Sequence, residues 1–169
     1  MKAILFSIIT VWIMNASGQV RQVISDQVTI SGDVTASVTY SAAQVNGFGK
    51  VNIGDVEFTD SKEMKYTGKN LIGIPLRNLF RNTSFKAENH KALNRFYLVC
   101  KAPDGYEVVF SYNEIFSPTS CTSYYVVTDD DSKTITEMPE SISVISCDAA
   151  HKGHKYIKGL TTIMVHEAH

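Results

Sequence analysis

Several signatures of chemistry are missing from this 169-residue chain. It holds three cysteines, Cys100, Cys121 and Cys147, and no C-x-x-C pair. That excludes a zinc ribbon and a thioredoxin-type redox site. No serine stands in a G-x-S-x-G elbow, so a hydrolase of that type has no support. Gly47-Phe48-Gly49 lacks the third glycine and the following helix of a phosphate-binding loop. No segment is strongly basic and the formal charge is −1, so nothing points to nucleic acid. Internal repeats, low-complexity tracts and interdomain linkers are also missing. After Met14 there is no second long hydrophobic run.

The run before Met14 is therefore distinctive. Lys2 supplies a positive start, Ala3 to Met14 is apolar, and Ala16-Ser17-Gly18 places small residues at a cleavage site. A spanning helix needs about 20 apolar residues, more than this run has. The expectation is a secretory signal peptide over residues 1–18, export to the periplasm or exterior, and no membrane association after cleavage. Residues 19–169 then form one domain, long enough for a core of its own. Its charge is −2, since only Lys2 is lost, leaving 15 basic against 17 acidic residues. In an oxidising compartment two of the cysteines can pair. Cys100 sits mid-strand and reads as a buried, inert thiol. Cys121–Cys147 is the pair to test first.

The remaining pattern is strand-rich. Gln27–Gly32 alternates and ends at glycine, and Val34–Tyr40 alternates again. Ser41 reads as the N-cap of a short turn. Lys50–Ile53 and Val56–Phe58 are short strands divided by Gly54-Asp55. Residues 61–70 read as a loop with an edge strand at Met64–Tyr66. Pro75 suits a first helical turn, and Leu76, Leu79 and Phe80 form one apolar face, predicting a helix to about Arg81. Glu88–Asn94 reads as a helical turn. Phe96–Lys101 and Tyr106–Tyr112 form a hairpin around Pro103-Asp104-Gly105. Asn113–Phe116 is a short helix, Cys121–Thr128 is β-rich, and Asp129–Asp131 is a turn without the ligand spacing of a calcium loop. Strands at Ser141–Ser146 and Lys158–Val165 follow, with His166 and His169 in a frayed tail. Many short strands with a few short helices define a mixed, β-rich α+β domain.

Candidate chemistry is sparse. Cys147, Asp148, His151 and His154 form C-D-x-x-H-x-x-H, whose donors are all competent for zinc. A polar surface connector is the plainer reading of the same residues. Asp104 reads as a turn residue rather than a general acid. Tyr106, Tyr112, Tyr124 and Tyr125 either line a ligand pocket or are half-buried sheet residues. Arg77 either faces an anionic ligand or is an ordinary exposed helix charge.

Three segments together, GIPLRNLF at 73–80, APDGYEVVFSYNEI at 102–115 and CDAAHKGHKYIKGLTTIMV at 147–165, resemble the oxidoreductase molybdopterin-binding domain of sulfite oxidase-like enzymes. Val28–Gly32 fits that family's opening strand and glycine. Cys147 stands where the family usually has proline, and Lys155 where it usually has arginine. The resemblance implies a cofactor region near Gly54, Asp55, Gly73 and Lys155. It also implies a molybdenum-binding cysteine before the GIPL segment, and there this chain departs, because no cysteine precedes Cys100. The cofactor-holding arginine and histidine of that region are missing too, since Arg21 is the sole arginine before Arg77 and His90 is the first histidine. A carboxylate does not simply replace a soft thiolate on molybdenum. The leading expectation is an exported binding or accessory module, its ligand an unknown small molecule or protein partner, without molybdenum catalysis. The alternatives are a molybdopterin-dependent oxidoreductase, which leaves open whether the chain is an enzyme, and a zinc-binding module built on the 147–154 loop.

Overall fold

The computed structural model describes residues 26–59, 65–117, 124–131, 133–139, 141–147 and 155–169. They contain ten strands: β1 (Gln27–Gly32), β2 (Val38–Ser41), β3 (Val51–Thr59), β4 (Lys65–Pro75), β5 (Phe96–Lys101), β6 (Glu107–Ser111), β7 (Tyr124–Asp130), β8 (Lys133–Thr134), β9 (Ser143–Ser146) and β10 (Thr162–Glu167). Two one-turn α-helices, α1 (Ala42–Asn46) and α2 (Tyr112–Phe116), and two 3₁₀ helices, Leu76–Asn82 and His90–Arg95, complete them. This is the β-rich α+β fold that the sequence predicts.

The first sheet runs β2-β1-β10-β5-β6, with the last strand of the chain in the middle. β1 and β10 pair in parallel, Ile30 opposite Ile163, and the other neighbours are antiparallel. Alternation explains the sidedness. In β5, Phe96, Leu98 and Cys100 are buried while Tyr97, Val99 and Lys101 are half-exposed. The turn after β5 is built as its residues dictate. The Asp104 carboxylate accepts from the Tyr106 N–H at 3.0 Å, and Ala102 N donates to Tyr106 O at 2.9 Å.

The second sheet runs β3-β4-β7-β8, with β9 also on β7. Its inner face, including Ile74, Tyr124, Val126 and Val144, shares one core with Val28, Ile30, Leu98, Phe110, Ile163 and Val165 of the first sheet. A smaller cluster of Val56, Leu71, Val127 and Ile145 covers its other face. That is why all four residues of β9 are buried: Val144 belongs to one cluster and Ile145 to the other.

Both α-helices begin on a serine that ends a strand. Ser41 Oγ accepts from Gln44 N while the Gln44 side chain accepts from Ser41 N, and Ser111 and Glu114 repeat the arrangement. Each capping box satisfies two backbone donors that one turn of helix leaves unpaired.

The structure corrects several boundaries. Residues 65–70 belong to an 11-residue strand, because pairing with β3 (Glu57 opposite Thr67) outweighs their polar composition. Gly73 to Pro75 are strand, held against Val127, Val126 and Tyr125 of β7, and the helix that follows is 3₁₀ and starts at Leu76. Residues 51–59 are one strand with register shifts around Gly54, not two. Val34 is not in a strand with Val38. It makes a single bridge to Phe85 after the chain turns at Gly32, φ +94°. Asp129 and Asp130 end β7, and Asp131 alone turns, with φ +51°. His166 is not frayed: it lies in β10 and stacks on Tyr97 with ring centroids 5.3 Å apart. The signal-peptide expectation, and residue 121, fall outside the described residues.

Gly32 and Gly54 separate two effects of adding a methyl group. Both have left-handed φ, but a Cβ on Gly32 would lie 2.2 Å from Val165 O, whereas one on Gly54 meets nothing within 4 Å. Gly54→Ala should cost about 1–2 kcal/mol of stability from its backbone alone. Gly32→Ala should cost roughly 1–3 kcal/mol more, from the clash with β10. Urea unfolding of both variants checks the ranking, and equal losses would mean that the β1–β10 approach relaxes freely.

Candidate functional site

Of the residues that the resemblance points to, Gly54, Asp55 and Gly73 lie on the paired strands β3 and β4, and Lys155 lies beside β6, α2 and β7. Gly54 sits at the bulge of β3 with open space beside it. The neighbouring Asp55 carboxylate is committed locally. It accepts from Asn70 N at 2.9 Å and Lys69 Nζ at 3.0 Å, and those two contacts, the backbone one foremost, hold it below the usual carboxylate range. Gly73 lies against filled space: a Cβ there would be 2.6 Å from Val126 O and 2.7 Å from Ile53 Cδ1. Glycine at 73 therefore serves packing of β4 on its neighbours.

Lys155 belongs to a different environment. Its ammonium pairs with Glu114 Oε1, lies 4.7 Å from the centroid of the Phe110 ring, and lies 5.7 Å from that of Tyr124. The two rings meet edge to face at 4.9 Å. Ser111 fixes Glu114 through the capping box, so the acid is in place to receive the lysine. Burial raises the Glu114 pKa. The Lys155 hydrogen bond and charge, with the Ser111 backbone N–H, outweigh it and hold Glu114 below its ordinary value. Its charge is thus matched within the fold, by a carboxylate and by two ring faces.

Of the zinc candidates, Cys147 is half-buried and packs on the smaller cluster beside Val127 and Ile145. Asp148, His151 and His154 lie outside the described residues. Among the described residues no three His, Cys, Asp or Glu side chains converge on a metal position.

Cys100 is fully buried in β5, and desolvation pushes its thiol up to about 12. It cannot present a thiolate to a metal near Gly54. Asp55 there is bound to Asn70 and Lys69, and Gly73 admits no ligand. The described residues of this region thus do not fit the molybdenum–thiolate centre that the resemblance implies.

An open groove lies elsewhere among the described residues. The groove, of about 690 Å³, runs between the 3₁₀ helix Leu76–Asn82, the segment after it, the start of the second 3₁₀ helix, and α2. Phe85 is the hub of its floor. It stacks on Phe80 at 5.4 Å and meets Phe96, Tyr112 and Phe116 edge to face at 5.1–5.4 Å. Tyr112 and Phe116 stack on each other at 4.7 Å. The wall is tied to the segment after β1: Thr35 N donates to Ser84 O at 2.8 Å, Lys86 N to Asp33 O at 3.0 Å, and Thr83 Oγ1 to Ala36 O at 2.6 Å. Arg77, Arg81 and His90 stand at the rim. With Leu76, Leu79 and Phe80 turned inward, the 3₁₀ helix leaves Arg77 and Arg81 exposed. Arg81 also lies 4.5 Å over the Phe48 ring.

Two of the weighed candidates, Arg77 and Tyr112, prove to share this groove. Of the other tyrosines, Tyr124 is buried, Tyr106 packs on the main core and Tyr125 on the smaller cluster. Sequence reasoning missed Phe85, Phe116 and His90. Phe85 lies in a polar connector with no periodic apolar neighbours, so no pattern marks it.

The fold is a two-sheet α+β scaffold. No family model matches the chain, and no curated protein matches its sequence. Among solved structures it is similar to the sulfane dehydrogenase SoxCD from Paracoccus pantotrophus, with TM-score 0.61 and 10% identity, over 84% of this chain and 38% of that one. The chain thus spans well under half the length of that protein. At this identity the likeness is one of fold, and it agrees with the scaffold that the motif resemblance implies.

Two outcomes follow. The folded Glu114 pKa lies below the unfolded one. Its stabilisation is therefore present above the unfolded value of about 4.3 and is lost as pH falls through the lower folded value. Urea midpoints between pH 7 and pH 3 should fall less steeply for Glu114→Gln than for the parent chain. For Cys100, iodoacetamide followed by peptide mapping should find the thiol unmodified in the native protein and modified in denaturant.

Proposed function

We propose that this chain is an exported binding or accessory module on a sulfite oxidase-like molybdopterin-domain scaffold, working without molybdenum catalysis. The observation that carries the reading is the state of Cys100. The first cysteine of the chain is sealed in the core with its thiol raised to about 12, while the Gly54–Gly73 region has no thiol and is packed shut at Gly73. A scaffold of this kind keeps its folding core and its connections while the metal-ligand set is gone. Binding then falls to the open aromatic groove, which is within the size range of small-molecule sites.

Metal and pterin content decide the matter. The full chain, expressed in a host that makes molybdopterin, should carry neither molybdenum nor pterin in stoichiometric amount after purification. One molybdenum and one pterin per chain would overturn the reading in favour of a molybdopterin-dependent oxidoreductase.

A further inference from the structure

We infer that the groove over Phe85 binds a small, flat, conjugated acid, its ring on the aromatic floor and its carboxylate or sulfonate at Arg77 and Arg81. The inference rests on the binding-module reading and names the ligand class of that module.

Charge is the first reason. The chain as a whole is slightly acidic, and many of its described cations are matched locally: Lys50 with Asp129, Lys69 with Asp55, Arg95 with Glu167, Lys101 with Glu107 and Lys155 with Glu114. Arg77 and Arg81 are not matched. Among the described residues neither guanidinium has an ion-pair partner, and the described lining of the groove contains Arg77, Arg81 and His90 without a carboxylate. Guanidinium groups hold the oxygen pairs of carboxylates and of tetrahedral oxyanions through paired N–H donors, which a lysine ammonium does not reproduce.

Shape is the second reason. Tyr112 and Phe116 lie nearly parallel, at 14°, and Phe80 and Phe85 at 11°, so four rings make up most of the apolar floor, with Leu93 beside them. Offset or edge-to-face contact with a further ring is the arrangement such a surface favours. The volume, about 690 Å³, holds one small ligand and not a folded partner.

The test uses two dyes with the same ring system. 8-Anilinonaphthalene-1-sulfonate carries the anion, and N-phenyl-1-naphthylamine does not. Titration of the full chain should show saturable binding of the sulfonate at one site per chain. An R77Q/R81Q double variant should bind the sulfonate about tenfold more weakly, a loss of about 1.4 kcal/mol. The same variant should bind the neutral dye as the parent chain does. Lys133→Gln, an exposed cation on β8 outside the groove lining, should leave both affinities unchanged, and matching thermal melts establish that the variants are folded. Unsaturable sulfonate binding, equal affinity for the two dyes, or an unchanged double variant would overturn the inference. None of these results bears on metal content, so this inference and the reading it rests on fail separately.

Discussion

The structure depends on the parallel pairing of β1 with β10. Antiparallel neighbours can be joined by a tight turn, but parallel strands need a crossover, and here the whole intervening chain supplies it. Because β10 also carries β5 on its other edge, the first sheet has no centre until the final strand arrives. The join is close. Asp33 N donates to Val165 O at 2.9 Å, Glu167 N donates to the Asp33 carboxylate at 3.0 Å, and Gly32 leaves no room for a side chain. Contacts of such sequence separation form against a large loop-closure entropy, which makes folding slow and cooperative rather than piecemeal.

That long-range closure also sets what the sequence can and cannot disclose. The β5–β6 hairpin was legible because its alternation and its Pro103-Asp104-Gly105 turn are local. The Ser41 cap was legible for the same reason, since its partner Gln44 is three residues away. Residues 65–70 were not: their polar composition fits a loop, and only the facing β3 strand makes them extended. His166 looked like a free end because nothing nearby in sequence reveals that β10 lies between β1 and β5. The candidate site divides in the same way. Arg77 and Tyr112 were marked by their own elements. Phe85 acquires its role from Phe80, Phe96, Tyr112 and Phe116, whose convergence is tertiary.

Charges follow the same logic. Position within a motif makes Lys155 look ligand-facing, yet Glu114, 41 residues away, pairs with its charge, and its ammonium lies over the Phe110 and Tyr124 rings. Breaking that pair would leave a half-buried carboxylate without its cation. Arg77 occupies the opposite situation. The apolar side of its 3₁₀ helix is consumed by the core, its side chain is exposed, and no described acid forms an ion pair with it. The cation that the resemblance singles out has its charge matched within the fold, and the cation left without an ion pair among the described residues is one that looked like routine helix surface.

The groove and the central closure are mechanically one feature. The turn at Gly32 frees Asp33–Ala36 from β1, and that segment is laced to Thr83–Lys86 by backbone hydrogen bonds and by the Val34–Phe85 bridge. Phe85, the hub of the floor, therefore stands where it does because β1 ends at β10. A ligand that binds only the assembled floor stabilises the native state in proportion to its occupancy. Its binding energy thus reaches the pairing of the two ends of the described chain through Val34 and Gly32. A side chain at Gly32 that displaced β1 from β10 would shift Asp33–Ala36 and, with it, the wall of the groove, although residue 32 is not part of the lining.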